Sequence, residues 1–169
     1  MGDRNELWKI AWETFYDASY YEILFGETSK NWQTFDFVAR LLVAFTVSGS
    51  AVSGWALWND EEYKIGWVIF AGAASVISII HATLNTNDKL KHYAQLSADI
   101  SDVKLEYETF RHELSIYPDF DVDQNFKKHQ RLREKFQKVI SSYTTDFLAS
   151  KRVQNMAQNI LNQKLGIQE

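Results

Sequence analysis

LLVAFTVSGSAVSGWALW, Leu41 to Trp58, is eighteen residues without a charge, five of them Ser or Gly, with Arg40 immediately before it. A helix lying on a soluble core shows polar residues every third or fourth position, whereas this run offers only small hydroxyls and glycines. Six residues later a second uncharged run begins, IGWVIFAGAASVISIIHATLNT, Ile65 to Thr86, twenty-two residues long. A bilayer core of about 30 Å takes about 20 helical residues. The two runs approach or meet that length, so the sequence predicts a transmembrane hairpin over 35–86, with spans at about 38–58 and 65–86. The competing reading is the hydrophobic hairpin of a soluble helical bundle, where small residues would serve close packing.

Around the hairpin the pattern is that of a membrane boundary. The linker from Asn59 to Lys64 is short and acidic, with Trp55, Trp58, Tyr63 and Trp67 crowding it as an aromatic belt does, and Trp32 and Phe35 are placed for the opposite interface. Lys30 and Arg40 precede the first span, Lys89 and Lys91 follow the second, and the linker holds one lysine against three acids. The positive-inside rule then puts both termini in the cytoplasm of a multi-pass membrane protein. Arg40 snorkels to the headgroups, and Asp36, four residues earlier, is in the favourable helical order for an ion pair with it.

Small residues give the spans faces for close approach. Ala44, Ser48 and Ala51 share one face of the first span, Ser50 and Gly54 another; Gly66, Phe70, Ala74, Ser78 and Ala82 recur at fours in the second. These stripes suit helix association within the hairpin or between copies, or the lining of a lumen. His81, an ionisable residue near the inner end of the second span, belongs either at the interface or turned toward a bundle interior.

The flanking segments read as helices. Residues 1–34 carry a wide aromatic face (Leu7, Trp8, Ala11, Trp12, Phe15, Tyr20, Ile23, Leu24), with Gly26 expected to end the helix. Glu6, Glu13, Asp17 and Glu22 argue for docking on protein rather than on anionic lipid. The cytoplasmic part, 87–169, starts with Leu90, Tyr93, Ser97, Ile100, Val103, Tyr107, Phe110, Leu114 and Tyr117 at an average spacing near that of a coiled-coil seam. This helix is expected to continue out of the second span and to stop before Pro118. A further helix follows, N-capped by Asp121 or Asp123, with Phe126, Leu132, Phe136, Val139, Ile140, Tyr143 and Phe147 facing inward, then an amphipathic stretch with Val153, Met156, Ile160, Leu161 and Leu165. The fold class expected is all-α.

Composition narrows the function. In 169 residues the net charge is −4, which supplies no global basic field and argues against nucleic acid as a general partner. The mean hydropathy of −0.32 averages over strongly clustered apolar residues. Without cysteine, thiolate metal sites and cysteine nucleophiles are excluded. No phosphate loop, nucleophile elbow or HExxH helix occurs, and His81, His92, His112 and His129 lack metal-ligand spacing, so neither enzyme nor cofactor is expected. The strongest basic cluster is KKHQRLREK, from which Lys127, Lys128, His129, Arg131 and Arg133 form a candidate patch for an anionic ligand or partner; its plain reading is a solvated helix face.

An N-terminal helix, two spans with an acidic six-residue turn, and a helical tail with a Tyr-x-x-Leu element at Tyr93 to Leu96 together resemble the SLATT group of bacterial two-transmembrane effectors. The layout is also similar to that of small CRISPR-associated membrane accessory proteins that form oligomeric pores, although the Arg and His pair of their HEPN-like part is absent. The resemblance implies a bacterial inner-membrane protein of anti-phage defence that assembles as a homo-oligomer, answers a sensor protein or nucleotide messenger, and permeabilises the bilayer. The rival expectation is a membrane-anchored helical scaffold or adaptor without pore activity. A third is a nuclease acting through the cluster around His129.

Overall fold

The computed structural model describes residues 2–47, 61–116, 121–144 and 147–167. Among these lie five α-helices and no strand: α1 Gly2–Val47, α2 Glu61–Thr83, α3 Thr86–Ile116, α4 Val122–Ser142 and α5 Lys151–Leu165. The protein is therefore all-α. It divides into two compact units, one formed by Met1–Ser29 with His92–Glu169, the other by Lys30–Lys91.

The first unit has a dense core. Tyr93, Leu96, Ile100, Val103, Tyr107, Phe110 and Leu114 of α3 are buried, as the seam spacing predicts. Leu7, Ala11, Phe15, Ala18, Leu24 and Phe25 of α1 are buried too, so the aromatic face of this helix docks on protein. Phe25 packs on Tyr93 and Tyr143, while Ile23 and Leu24 join Val153, Ala157 and Leu161 of α5. Glu22 Oε2 accepts from Lys104 Nζ at 2.7 Å, and Arg4 donates through Nε at 2.7 Å and through Nη2 to the Leu114 carbonyl. That carbonyl is among the last four of α3, which have no partner within the helix.

Local chemistry sets the ends. Asp121 caps α4 by accepting from the Gln124 amide at 3.1 Å. α5 closes with Gly166 in the left-handed region (φ 67°), letting the Ile167 amide reach the Asn162 carbonyl at 2.9 Å. α3 stops at Ile116, before Pro118, as expected.

Four expectations are corrected. α1 does not end at Gly26 but runs on to Val47, because Phe25 and Thr28, both fully buried beside it, hold the turn helical. The helix leaving the apolar run is interrupted: α2 ends at Thr83 and α3 begins at Thr86, with Asn85 at φ 45° between them. Asn tolerates this left-handed conformation better than most residues, and here its carbonyl accepts from the Asp88 amide at 2.9 Å. Phe126 and Phe147 are exposed rather than inward, and His129 is buried on the face of α4 that carries Leu132 and Val139. Trp32, placed at an interface by its type, is fully buried, edge-on to Phe35.

Candidate functional site

In the unit Lys30–Lys91, three polar side chains meet. Asp36 and Arg40 lie one turn apart on α1, and Arg40 Nε donates to Asp36 Oδ2 at 2.8 Å, the ion pair their spacing predicts. The other oxygen of Asp36, Oδ1, lies 2.9 Å from His81 Nε2 in the last turn of α2. Arg40 Nη2 reaches Asn87 Oδ1 at 3.4 Å. The clasp ties α1 to α2 across forty-five residues of chain, with His81 and Asp36 side chains mostly covered. Phe35 stands beside the imidazole, 6.3 Å between ring centres. His81 is thus half-buried and turned toward Asp36 of α1.

Beyond the clasp the surface is apolar. Lys64–His81 is the one stretch among the described residues long and apolar enough to cross a membrane, by length and composition, and only 6% of it is buried. Ile65, Val68, Ile69, Val76 and Ile79 of α2 face outward, as do Phe37, Val38 and Leu41 of α1. Of the small-residue stripe, Ala74 is buried, Phe70 and Ser78 are half-buried and Gly66 is exposed. Ala44 is on the exposed side of α1. Ser48, Ser50, Ala51 and Gly54, with most of the first apolar run, lie outside the described residues, as does the aromatic pair Trp55 and Trp58.

The basic cluster of the other unit is divided by its helix. Lys128 pairs with Glu113 and sits 5.6 Å from the Phe110 ring centre, and Lys135 pairs with both oxygens of Glu106 at 2.7 and 2.8 Å. Lys127 and Arg131 are exposed, and with Gln124 and Lys128 they line a shallow groove. Arg133 is exposed on another side of α4, and His129 is not on the surface at all. Its ring lies between Phe110, near parallel at 6.5 Å, and the edge of Tyr107 at 5.9 Å, with Nδ1 buried and unpartnered. Burial, and then Arg133, hold the imidazole below its ordinary pKa. Burial also pushes the Tyr107 phenol up to about 12, partly offset by the Thr14 hydroxyl and Arg133.

Arg111 was not singled out by its sequence context. Its guanidinium carbon lies 4.1 Å from the ring centre of Trp12, 4.7 Å from Phe15 and 5.4 Å from Trp8. The three rings are spaced to share one side of α1, and the cation–π contact fixes α3 against it. Burial lowers the Arg111 pKa, countered by Glu108, and Nε is buried without a hydrogen bond. Between α3 and α4 a cleft of about 290 Å³ has Asp99, Asp102 and Glu106 on one wall and Lys135 and Lys138 on the other, so its charge is compensated internally. Among the described residues no three His or carboxylate side chains stand close enough to hold a metal ion.

Neither a protein-family model nor a curated protein nor a solved structure matches this chain. The class it belongs to is defined by its own geometry: an all-helical protein with one packed unit and one that, among the described residues, exposes the apolar side chains of α2.

Proposed function

We propose that this protein is an oligomeric effector of a bacterial inner membrane that permeabilises the bilayer when activated, in anti-phage defence. One observation carries the reading: α2 is apolar along Lys64–His81, yet only 6% of that stretch is buried. The core helix of a soluble protein would hide such residues, and leaving an Ile side chain in water costs about 1.5–3 kcal/mol. Lipid removes that cost. The clasp of Asp36, Arg40, His81 and Asn87 then stands where the apolar surface ends, with Lys89 and Lys91 beside it on the cytoplasmic side.

Two spans enclose no conduit, so conduction belongs to several copies arranged about an axis. The packed helical unit receives the activating signal, from a sensor protein or an anionic messenger. Both termini are cytoplasmic in this topology.

Expression in cells carrying a potential-sensitive dye, paired with alkaline carbonate extraction of the membranes, tests the reading. Depolarisation with the chain retained in the pellet is expected. Replacing residues 38–86 by an unrelated hairpin separates effector from tether: loss of depolarisation supports the pore, and an unchanged cellular activity with intact membranes supports the scaffold. Reconstituted oligomer that stays impermeable to ions while its trigger is bound sinks the pore.

A further inference from the structure

In the unit of Met1–Ser29 and His92–Glu169, two exposed charged ridges make no ion pair among the described residues: Lys9, Glu13 and Asp17 on α1, and Asp123, Lys127 and Arg131 on α4. Each set is spaced by four, so each forms one ridge. The signs run plus, minus, minus on α1 and minus, plus, plus on α4.

The levels agree as well. Tyr21 meets Phe136 and Phe25 meets Tyr143, so α1 and α4 run in the same direction, and the two ridges stand at the same height to within a turn. Within one chain they make no ion pair. A rotation about an axis parallel to these helices keeps every residue at its level, so the α4 ridge of one copy meets the α1 ridge of the next already in register. Burial, and then its neighbour Glu13, raise the pKa of Asp17.

We propose that a second copy of this chain sets its Asp123, Lys127 and Arg131 against Lys9, Glu13 and Asp17, a head-to-tail contact that repeats until a ring closes. The contact rests on the assembly proposed above, not on the conductance assigned to it. Charged pairs of this kind fix register and exclude wrong partners more than they add affinity. Val122 and Phe126, exposed on the adjoining side of α4, supply apolar area beside the ridge. A lipid surface would use Lys127 and Arg131 but would leave the matched acidic ridge without a counterpart.

The experiment is the native mass of the full chain in nanodiscs. The unaltered chain is expected as a multimer. Lys127→Glu with Arg131→Glu is expected to shift at least ten-fold more protein to single chains, and Glu13→Lys with Asp17→Lys to do the same. All four together restore opposite signs across the contact and are expected to restore the multimer. An unchanged mass in either double variant, or a four-fold variant that stays single, overturns the proposal. So does a change in flotation on phosphatidylglycerol vesicles with the mass unaltered, which would assign the basic ridge to lipid.

Because the chain has no cysteine, one copy carrying Glu13→Cys and another carrying Lys127→Cys, distinguished by tags and mildly oxidised, give an independent reading. A disulfide-linked pair bearing both tags supports the contact and its absence overturns it. Rings that form but pass no ions would support the contact and refute the pore.

Discussion

α2 and α3 are separated by two residues, yet they place their apolar side chains oppositely. α3 hides Tyr93, Ile100, Tyr107 and Phe110 and shows its charges; α2 shows Ile65, Ile69 and Ile79 and hides Ala74 and the clasp of Asp36 with His81. The difference lies in what each helix packs against. α3 has α1 on one side, through Arg111 and Lys104, and α4 on another, through Lys128 and Lys135. α2 turns one narrow face inward and leaves the rest of its apolar side chains exposed, which the proposed bilayer would cover. A polar substitution on the outside of α2 and a truncation inside α3 should therefore both be severe, for opposite reasons.

The largest effect is expected from Ile69→Asp with Ile79→Asp. An aspartate costs roughly 2.5–3.5 kcal/mol at the centre of a span on insertion scales and less toward its ends, so the two together should drive the chain out of the carbonate-resistant fraction. Leu105→Asp, an equally exposed apolar position on α3, should leave membrane retention unchanged. Equal retention of both variants would erase the distinction between the two helices.

Phe110→Ala comes next. The ring is fully buried and contacts His129 and the Lys128 ammonium. Its removal should lower the stability of the packed unit by about 3–5 kcal/mol, read as a fall in the thermal midpoint by circular dichroism in detergent. Phe126→Ala, at a half-exposed ring, should change it by no more than about 0.5 kcal/mol.

His129 adds a dependence on pH. Its folded pKa lies below the unfolded value near 6.5, so the unfolded chain binds the proton more readily. The contribution is complete above about pH 6.5 and is lost as pH falls from there through the lower folded value. Unfolding midpoints at pH 5 and pH 7 should differ in the unaltered chain, and the difference should shrink in His129→Phe. A slope that persists unchanged would place the acid sensitivity elsewhere. The Asp36–His81 clasp should matter less, because it is a single contact that keeps some exposure. A double-mutant cycle of Asp36→Ala and His81→Ala is expected to give a coupling of about 0.5–1 kcal/mol.

Much of the local structure was legible in the residues. The seam on α3, the Asp121 cap and the Asp36–Arg40 pair follow from local spacing, and local spacing survives folding. What escaped depended on weighing residue types against position. Phe126 was read as inward because it is a phenylalanine, although His129, Leu132, Phe136 and Val139 recur at three and four and mark the buried face better. The Asn85 break lies in a polar boundary where many residues could have turned. His81 was recognised as anomalous, but its partner forty-five residues away is set by how α1 and α2 pack, which no spacing in either helix contains.

Glycine shows the same contrast on the smallest scale, since Gly26 and Gly166 are alike in the sequence and opposite in the structure. Gly26 lies inside α1, where the residue costs roughly 0.5–1 kcal/mol relative to alanine, and a Cβ built there meets nothing within 4 Å. Gly26→Ala should therefore raise the stability of the packed unit by up to about 1 kcal/mol. Gly166 also has open space around it, but its φ of 67° ends α5 in the left-handed region. There a Cβ is strained, and Gly166→Ala should lower stability by about 1 kcal/mol. Space is the same at both positions, so opposite shifts in thermal midpoint would isolate the backbone as the cause; shifts of the same sign would mean that α1 bends at Gly26 after all.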